Sequence, residues 1–191
     1  MIFNESVKFI GKYRPYQQRV LDNITGFLDN EKIHIVAAPG SGKTILGLEL
    51  IKRLDNVSLV LVPSIALREQ WIDRFANGFL QNKEDVNKYI SNDIKNFKPI
   101  ICITYQAFYS AYQREINKES FDEDEEEFES IDFNEFDLLD TLIKYNVKTF
   151  CLDECHHLKN EWWRALENVI NKIDDHKIIA LTATPPYDSN N

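Results

Sequence analysis

The chain has 191 residues, 43% of them hydrophobic and 28% charged, enough for one domain with a core of its own and too few for two of ordinary size. Six Gly and six Pro argue against low-complexity and collagen-like chains, and no run reaches the roughly 18 apolar residues of a membrane helix. Polar residues interrupt the opening Met-Ile-Phe-Asn-Glu-Ser where a secretory signal needs an apolar run, so a cytoplasmic protein is expected. Three cysteines, an odd number, fit a reducing compartment better than a disulfide framework.

The net charge of −9 hides an asymmetry: residues 119–140 hold 12 of the 31 acidic side chains and no Lys or Arg. The remainder opposes 22 basic residues to 19 acidic ones, so the overall acidity does not veto a polyanionic partner. The segment is read as an acidic insertion, about 119–140. Its densest part, residues 121–129, repels itself and is expected to be an extended loop; acid with interleaved Phe also suits a partner-docking arm.

Taken in chain order, short apolar runs alternate with stretches of helical period, the pattern of an α/β domain with a mostly parallel sheet covered by helices on both faces. Strands are predicted at residues 33–37, 57–62, 100–104, 148–153 and 177–182, most of them continuously apolar as doubly covered strands should be. Helices are predicted at residues 44–54, 65–75 and 161–173. In the last of these, Trp162, Leu166, Val169, Ile170 and Ile173 form one face, with Asn160 as the expected N-cap.

The first strand runs into Ala38-Pro39-Gly40-Ser41-Gly42-Lys43-Thr44 and directly into an apolar helix. Strand, glycine-rich turn and helix in that order read as a phosphate-binding loop. Gly40 and Gly42 let backbone N–H groups converge at the positive end of the helix. Lys43 would set an ammonium on the outer phosphates, and the Thr44 hydroxyl suits Mg²⁺. The usual pattern has glycine where this chain has Ala37.

A second apolar strand ends Leu152-Asp153-Glu154-Cys155-His156. Ligand groups gather beyond the carboxyl ends of parallel strands, so Asp153 can meet Lys43 and hold Mg²⁺, while Glu154 can act as general base toward water. Cys151, Cys155, His156 and His157 offer a competing zinc reading, weakened because Cys151 lies within the strand and no second Cys/His pair stands at finger spacing. Cys102 reads as a small core residue.

These two motifs together resemble the first RecA-like domain of superfamily 2 helicases and translocases, in the branch that includes restriction-enzyme motor subunits; the alanine at 37 is shared by many of them. Arg14-Pro15-Tyr16-Gln17 resembles the motif that reads adenine, with Gln17 the reader and Tyr13 a possible stacking partner. Pro63-Ser64 and Thr104-Tyr105 resemble segments that contact a nucleic-acid backbone, although an N-cap role explains Ser64 equally well. Thr182-Ala183-Thr184-Pro185 matches the motif in which Thr182 and Thr184 couple nucleotide to nucleic acid. Thr182 also suits a simple strand cap.

The resemblance implies ATP and Mg²⁺ as cofactors, nucleic acid as partner, DNA ahead of RNA, and a domain spanning residues 1–191. It further implies a second RecA-like lobe, absent from this sequence, that supplies an arginine finger worth roughly 10³ to 10⁵ in turnover. A lobe alone should bind nucleotide weakly and hydrolyse it slowly. The alternative keeps the phosphate loop in a regulatory domain whose acidic insertion docks a protein.

Overall fold

The computed structural model describes residues 2–116 and 137–183. In chain order they form α1 (Pro15–Asn23), β1 (Lys32–Val36), α2 (Lys43–Leu54), β2 (Val57–Val62), α3 (Ile65–Phe79), the single turn α4 (Val86–Tyr89) and the two-residue β3 (Ile90–Ser91). There follow β4 (Ile100–Thr104), α5 (Tyr105–Ile116), α6 (Leu138–Lys144), β5 (Val147–Asp153), α7 (Asn160–Ile170) and β6 (Lys177–Thr182).

All five expected strands are present within one residue, joined by β3. They make one sheet in the order β1-β6-β5-β2-β4-β3. Every neighbouring pair is parallel, so the chain must return over a face of the sheet between strands; helices make those crossings except from β3 to β4, which are joined by a loop.

The period of two along each strand sorts the apolar runs into two layers. Val60 pairs in register with Cys102 and Cys151, and Cys151 with Ile179; all four join Leu21 of α1, Leu46 and Ile51 of α2, and Trp71 and Phe75 of α3. One step along, Leu59, Ile101, Phe150 and Ile178 join Phe108, Leu142, Leu166 and Ile170 of α5, α6 and α7. Continuous hydrophobicity is therefore alternation seen from both sides. Cys151 packs in the first layer and Cys155 against the second, so the spacing of the two sulfurs across the strand end does not bring them together.

Several boundaries differ from the sequence expectation. Helix α3 runs to Phe79, because Trp71, Phe75 and Phe79 keep one buried stripe at steps of four. The N-cap of α7 is Lys159, not Asn160, which is the first helical residue. Ile173 lies beyond the helix yet stays buried. Within the acidic segment, Asp137 caps α6 by accepting the Asp140 N–H at 3.0 Å, and Leu138 and Leu142 enter the core. The last residues of that segment are thus helical structure; residues 119–136, with the expected loop, lie outside the described residues.

Helix α2 contains Gly47, a residue that costs a helix roughly 1 kcal/mol relative to Ala. Packing explains it: a Cβ at Gly47 would stand 2.6 Å from Cη2 of Trp71 and 2.9 Å from Cδ1 of Leu181. We expect Gly47→Ala to destabilise the chain by a net amount of about 1–2 kcal/mol, overpacking outweighing the gain in helix propensity. Urea unfolding measures this, and a stabilised variant would contradict the wedge of α2 against α3.

Candidate nucleotide site

The carboxyl edge of the sheet gathers the polar residues. At the end of β1, the Ala37 N–H donates to the Thr182 carbonyl of β6 at 3.0 Å, fixing the start of the loop. Gly40 and Gly42 follow with φ of +72° and +94°, the left-handed region that an L side chain resists. The loop then enters α2 at Lys43.

Three consecutive carbonyls of this loop are held from outside by α1 and its N-cap. The Arg14 Nη1 donates to the Gly40 carbonyl at 2.8 Å, the Tyr16 hydroxyl to Ser41, and the Gln17 Nε2 to Gly42 at 3.1 Å. Gln17 is 3% exposed, and its Oε1 accepts the Arg14 N–H at 2.8 Å, closing the first turn of α1 behind Pro15. Both ends of the amide expected to read adenine are thus engaged within the chain. Gln17 here braces the loop, and a Cβ on Gly42 would strike it at 2.6 Å.

Inside the loop, the Lys43 Nζ donates to the Ala37 carbonyl at 3.0 Å and lies 2.9 Å from the Glu154 Oε1. Lys43 is buried and Glu154 about a quarter exposed. Glu154 directs its side chain there from φ +50°, a left-handed conformation just beyond the end of β5. Its second oxygen is 3.4 Å from the His156 Nδ1, which in turn contacts the Thr182 Oγ1 at 2.8 Å. Residues widely separated in sequence thereby form a chain from Lys43 through Glu154 and His156 to Thr182.

Asp153 ends β5 and is 4% exposed. Its Oδ2 accepts the indole N–H of Trp71 at 2.8 Å, and its carbonyl accepts the Tyr105 hydroxyl at 2.9 Å. Burial pushes its carboxyl above the ordinary carboxylate range; the Trp71 hydrogen bond opposes this, the Glu154 charge adds to it, and Lys43 opposes it.

The remaining predicted residues divide. Pro39 and Gly40 are exposed on the loop, and Thr44 is partly exposed in the first turn of α2. Pro63 and Ser64 are exposed where β2 gives way to α3, and the Ser64 Oγ caps that helix by accepting the Leu67 N–H at 3.3 Å. The Thr104 Oγ1 accepts the Ala107 N–H at 3.1 Å, capping α5. Tyr105 corrects the expectation of a surface contact: it is 4% exposed, and its hydroxyl is committed to Asp153. Thr184 lies outside the described residues. Trp71 was not foreseen as part of the site, since in sequence it is only one more apolar residue on α3.

The residues fit a polyphosphate with a divalent cation. The Ser41 Oγ is buried with no hydrogen-bond partner among the described residues, and open space surrounds the Cβ position of Gly40. The Lys43 ammonium meets the Glu154 carboxylate at 2.9 Å, with Asp153 the adjoining residue at the end of β5, a donor set whose chemistry suits phosphate and a hard cation.

Such a loop on a parallel sheet, facing an acidic strand end, is the arrangement of a RecA-like, phosphate-binding α/β domain. A family model described as the type III restriction enzyme, res subunit, matches residues 10–187, and the chain belongs to that family. It is 29% identical over 172 residues to the Rad25 protein of Halobacterium salinarum, named for a DNA 3'-5' helicase, covering 90% of this chain and 23% of that protein. Likewise it is 28% identical over 182 residues to the DNA 3'-5' translocase XPB2 of Sulfurisphaera tokodaii, covering 92% of this chain and 31% of that one. The chain thus spans a quarter to a third of the length of these relatives.

Among solved structures, the Hef helicase domain of Pyrococcus furiosus superposes with a TM-score of 0.59 at 17% identity, covering 90% of this chain and 33% of that one. The Sulfolobus solfataricus SWI2/SNF2 ATPase core in complex with dsDNA gives 0.58 at 17%, covering 99% and 35%. At such identities these two establish the fold.

Burial of a charged Asp153 has a stability consequence. Because its folded pKa lies above the unfolded one, the folded state binds the proton more tightly, and stability falls as pH rises through that interval. Asp153→Asn removes this cost, so at neutral pH the variant should melt at a higher temperature than the parent. The difference should close as pH falls toward the ordinary carboxylate range. Thermal melts across pH 4–8 test this, and a variant less stable at neutral pH would refute it.

Proposed function

We propose that this chain is the ATP-binding motor lobe of an ATP-dependent DNA helicase or translocase, using Mg²⁺. The observation that carries the reading is the 2.9 Å contact between Lys43 and Glu154 at the mouth of the loop. It joins the phosphate-binding group to the group suited to activate water. The helicase and translocase names of the two curated relatives support the nucleic-acid half of the reading.

In this reading the loop N–H groups, apart from that of Ser41, which donates to the Ala38 carbonyl, and the Lys43 ammonium receive the β- and γ-phosphates. Thr44 and Asp153 would hold Mg²⁺, which supplies charge neutralisation on the transferring phosphoryl group. Lys43 must exchange Glu154 for phosphate, and that exchange frees the Glu154 carboxylate to accept a proton from the attacking water. Glu154 then keeps His156 and Thr182 as neighbours, so its change of partner reaches β6. Exposed Pro63 and Ser64, with Thr104 at the end of β4, lie at the same edge and offer non-sequence-reading contacts to a DNA backbone. A second lobe is required to close the site and contribute an arginine.

Lys43→Ala should weaken Mg²⁺-ATP binding by at least about tenfold, the loss of a charge-assisted contact. Isothermal titration measures it, and equal affinity of variant and parent would defeat the proposed role of Lys43. ATP turnover by a polypeptide carrying both lobes should rise on adding DNA and fall as salt is increased. Turnover indifferent to DNA would remove the motor reading while leaving nucleotide binding intact.

A further inference from the structure

Trp71 is wholly buried in α3, yet its polar atom points to the site. An indole N–H is a donor only, and burying it without a partner is costly, so its one hydrogen bond is strongly determined. That bond goes to the Oδ2 of Asp153 at 2.8 Å, across 82 residues of sequence. The far edge of the same ring rests where a side chain of Gly47 would be, with Leu181 of β6 and the Cys151 sulfur beside that position. The indole is therefore clamped by α2, by β6 and by β5, the strand that ends in Asp153. It has little freedom to swing away.

We propose that Trp71 is the positioning residue for the Asp153 carboxylate: its N–H occupies one oxygen and fixes the carboxylate plane, so that the other oxygen is presented to the cation. The inference rests on the nucleotide-site reading above and adds to it a residue from α3. A carboxylate at a strand end has a free χ2 rotation, and a metal ligand that must be oriented on each binding event loses affinity to that rotation. Outer hydrogen-bond partners of metal-binding carboxylates are commonly worth 10- to 100-fold in metal affinity. Because α3 also carries Ser64 at its exposed start, the helix that would face DNA is the same one that orients the metal ligand.

The test uses the 191-residue chain and the variant Trp71→Phe, which keeps an aromatic ring and removes the donor. Retention of a fluorescent ADP analogue is measured while Mg²⁺ is titrated, and again in EDTA. The expected result is a rise of about 10-fold in the Mg²⁺ concentration giving half-maximal retention, with affinity in EDTA within about twofold of the parent. A residue that merely fills space would lower both affinities together or neither, and an unchanged Mg²⁺ requirement overturns the proposal.

If Trp71→Phe does not fold, 3-benzothienylalanine placed at position 71 keeps the bicyclic shape and likewise lacks the N–H. An arm independent of nucleotide is the ¹H–¹⁵N spectrum of the parent, where the Trp71 indole peak is identified by its loss in Trp71→Phe. It should resist solvent exchange and shift upfield in Asp153→Asn, where the charge-assisted bond becomes a neutral one. A peak unmoved by Asp153→Asn refutes the contact. Absence of nucleotide uptake by the parent at every Mg²⁺ concentration would instead refute the nucleotide-site reading, leaving the spectrum to decide the geometry.

Discussion

The ion pair of Lys43 and Glu154 constrains much of this molecule. A largely buried ammonium needs a carboxylate within contact distance, and removing one partner from such a pair typically costs about 3–5 kcal/mol. To bring the two within 2.9 Å, β1 and β5 must end at the same edge of the sheet, with β6 between them. Parallel pairing achieves this because every strand then ends on the same side, and the crossovers carry the chain back over the faces. Glu154 contributes by adopting a left-handed backbone conformation, a local strain of order 1–3 kcal/mol that the surrounding contacts must hold.

Around that pair the phosphate loop is shaped from outside. Loop carbonyls bonded outward to Arg14, Tyr16 and Gln17 hold the loop from α1, while the Ser41 N–H closes a turn on the Ala38 carbonyl at 3.1 Å, and the α2 dipole would attract an anion at the helix start. The loop geometry is therefore partly a property of α1, and glycine supplies the positive φ angles that let it follow. Meanwhile Lys43, bonded to Ala37 and Glu154, is already extended across the space that phosphate would occupy. The arrangement is preorganised for an anion while its charges satisfy one another.

Asp153 shows the opposing pressures at such a site. Its carboxylate is buried beside Glu154, which raises its pKa, and is balanced by one indole donor and one nearby ammonium. A domain selected only for stability would place an apolar or amide group there. The unfavourable charge is understandable where a divalent cation completes the balance.

The sequence alone determined the positions of five of the six described strands, the glycine-rich loop and the acidic strand end. Each is a local pattern: four to seven apolar residues bounded by turn signals, glycines whose backbone freedom a tight loop demands, and carboxylates set just past a strand. It also carried the family resemblance, because that rests on short motifs in order. Tertiary structure decided the rest. Trp71 looks like core in any window of α3, and only the packing of α3 across the sheet sets its N–H against Asp153. Tyr105 and Gln17 look like surface chemistry, yet burial turned both hydrogen-bonding groups inward, to the Asp153 carbonyl and the Gly42 carbonyl. Helix α6 was obscured by the charge of the segment leading into it, although Leu138 and Leu142 at a four-residue step mark its buried side. The physical reason is common to these cases: periodicity and turn chemistry act between neighbours in sequence, whereas the partner of a buried polar atom is chosen by whichever distant element packs over it.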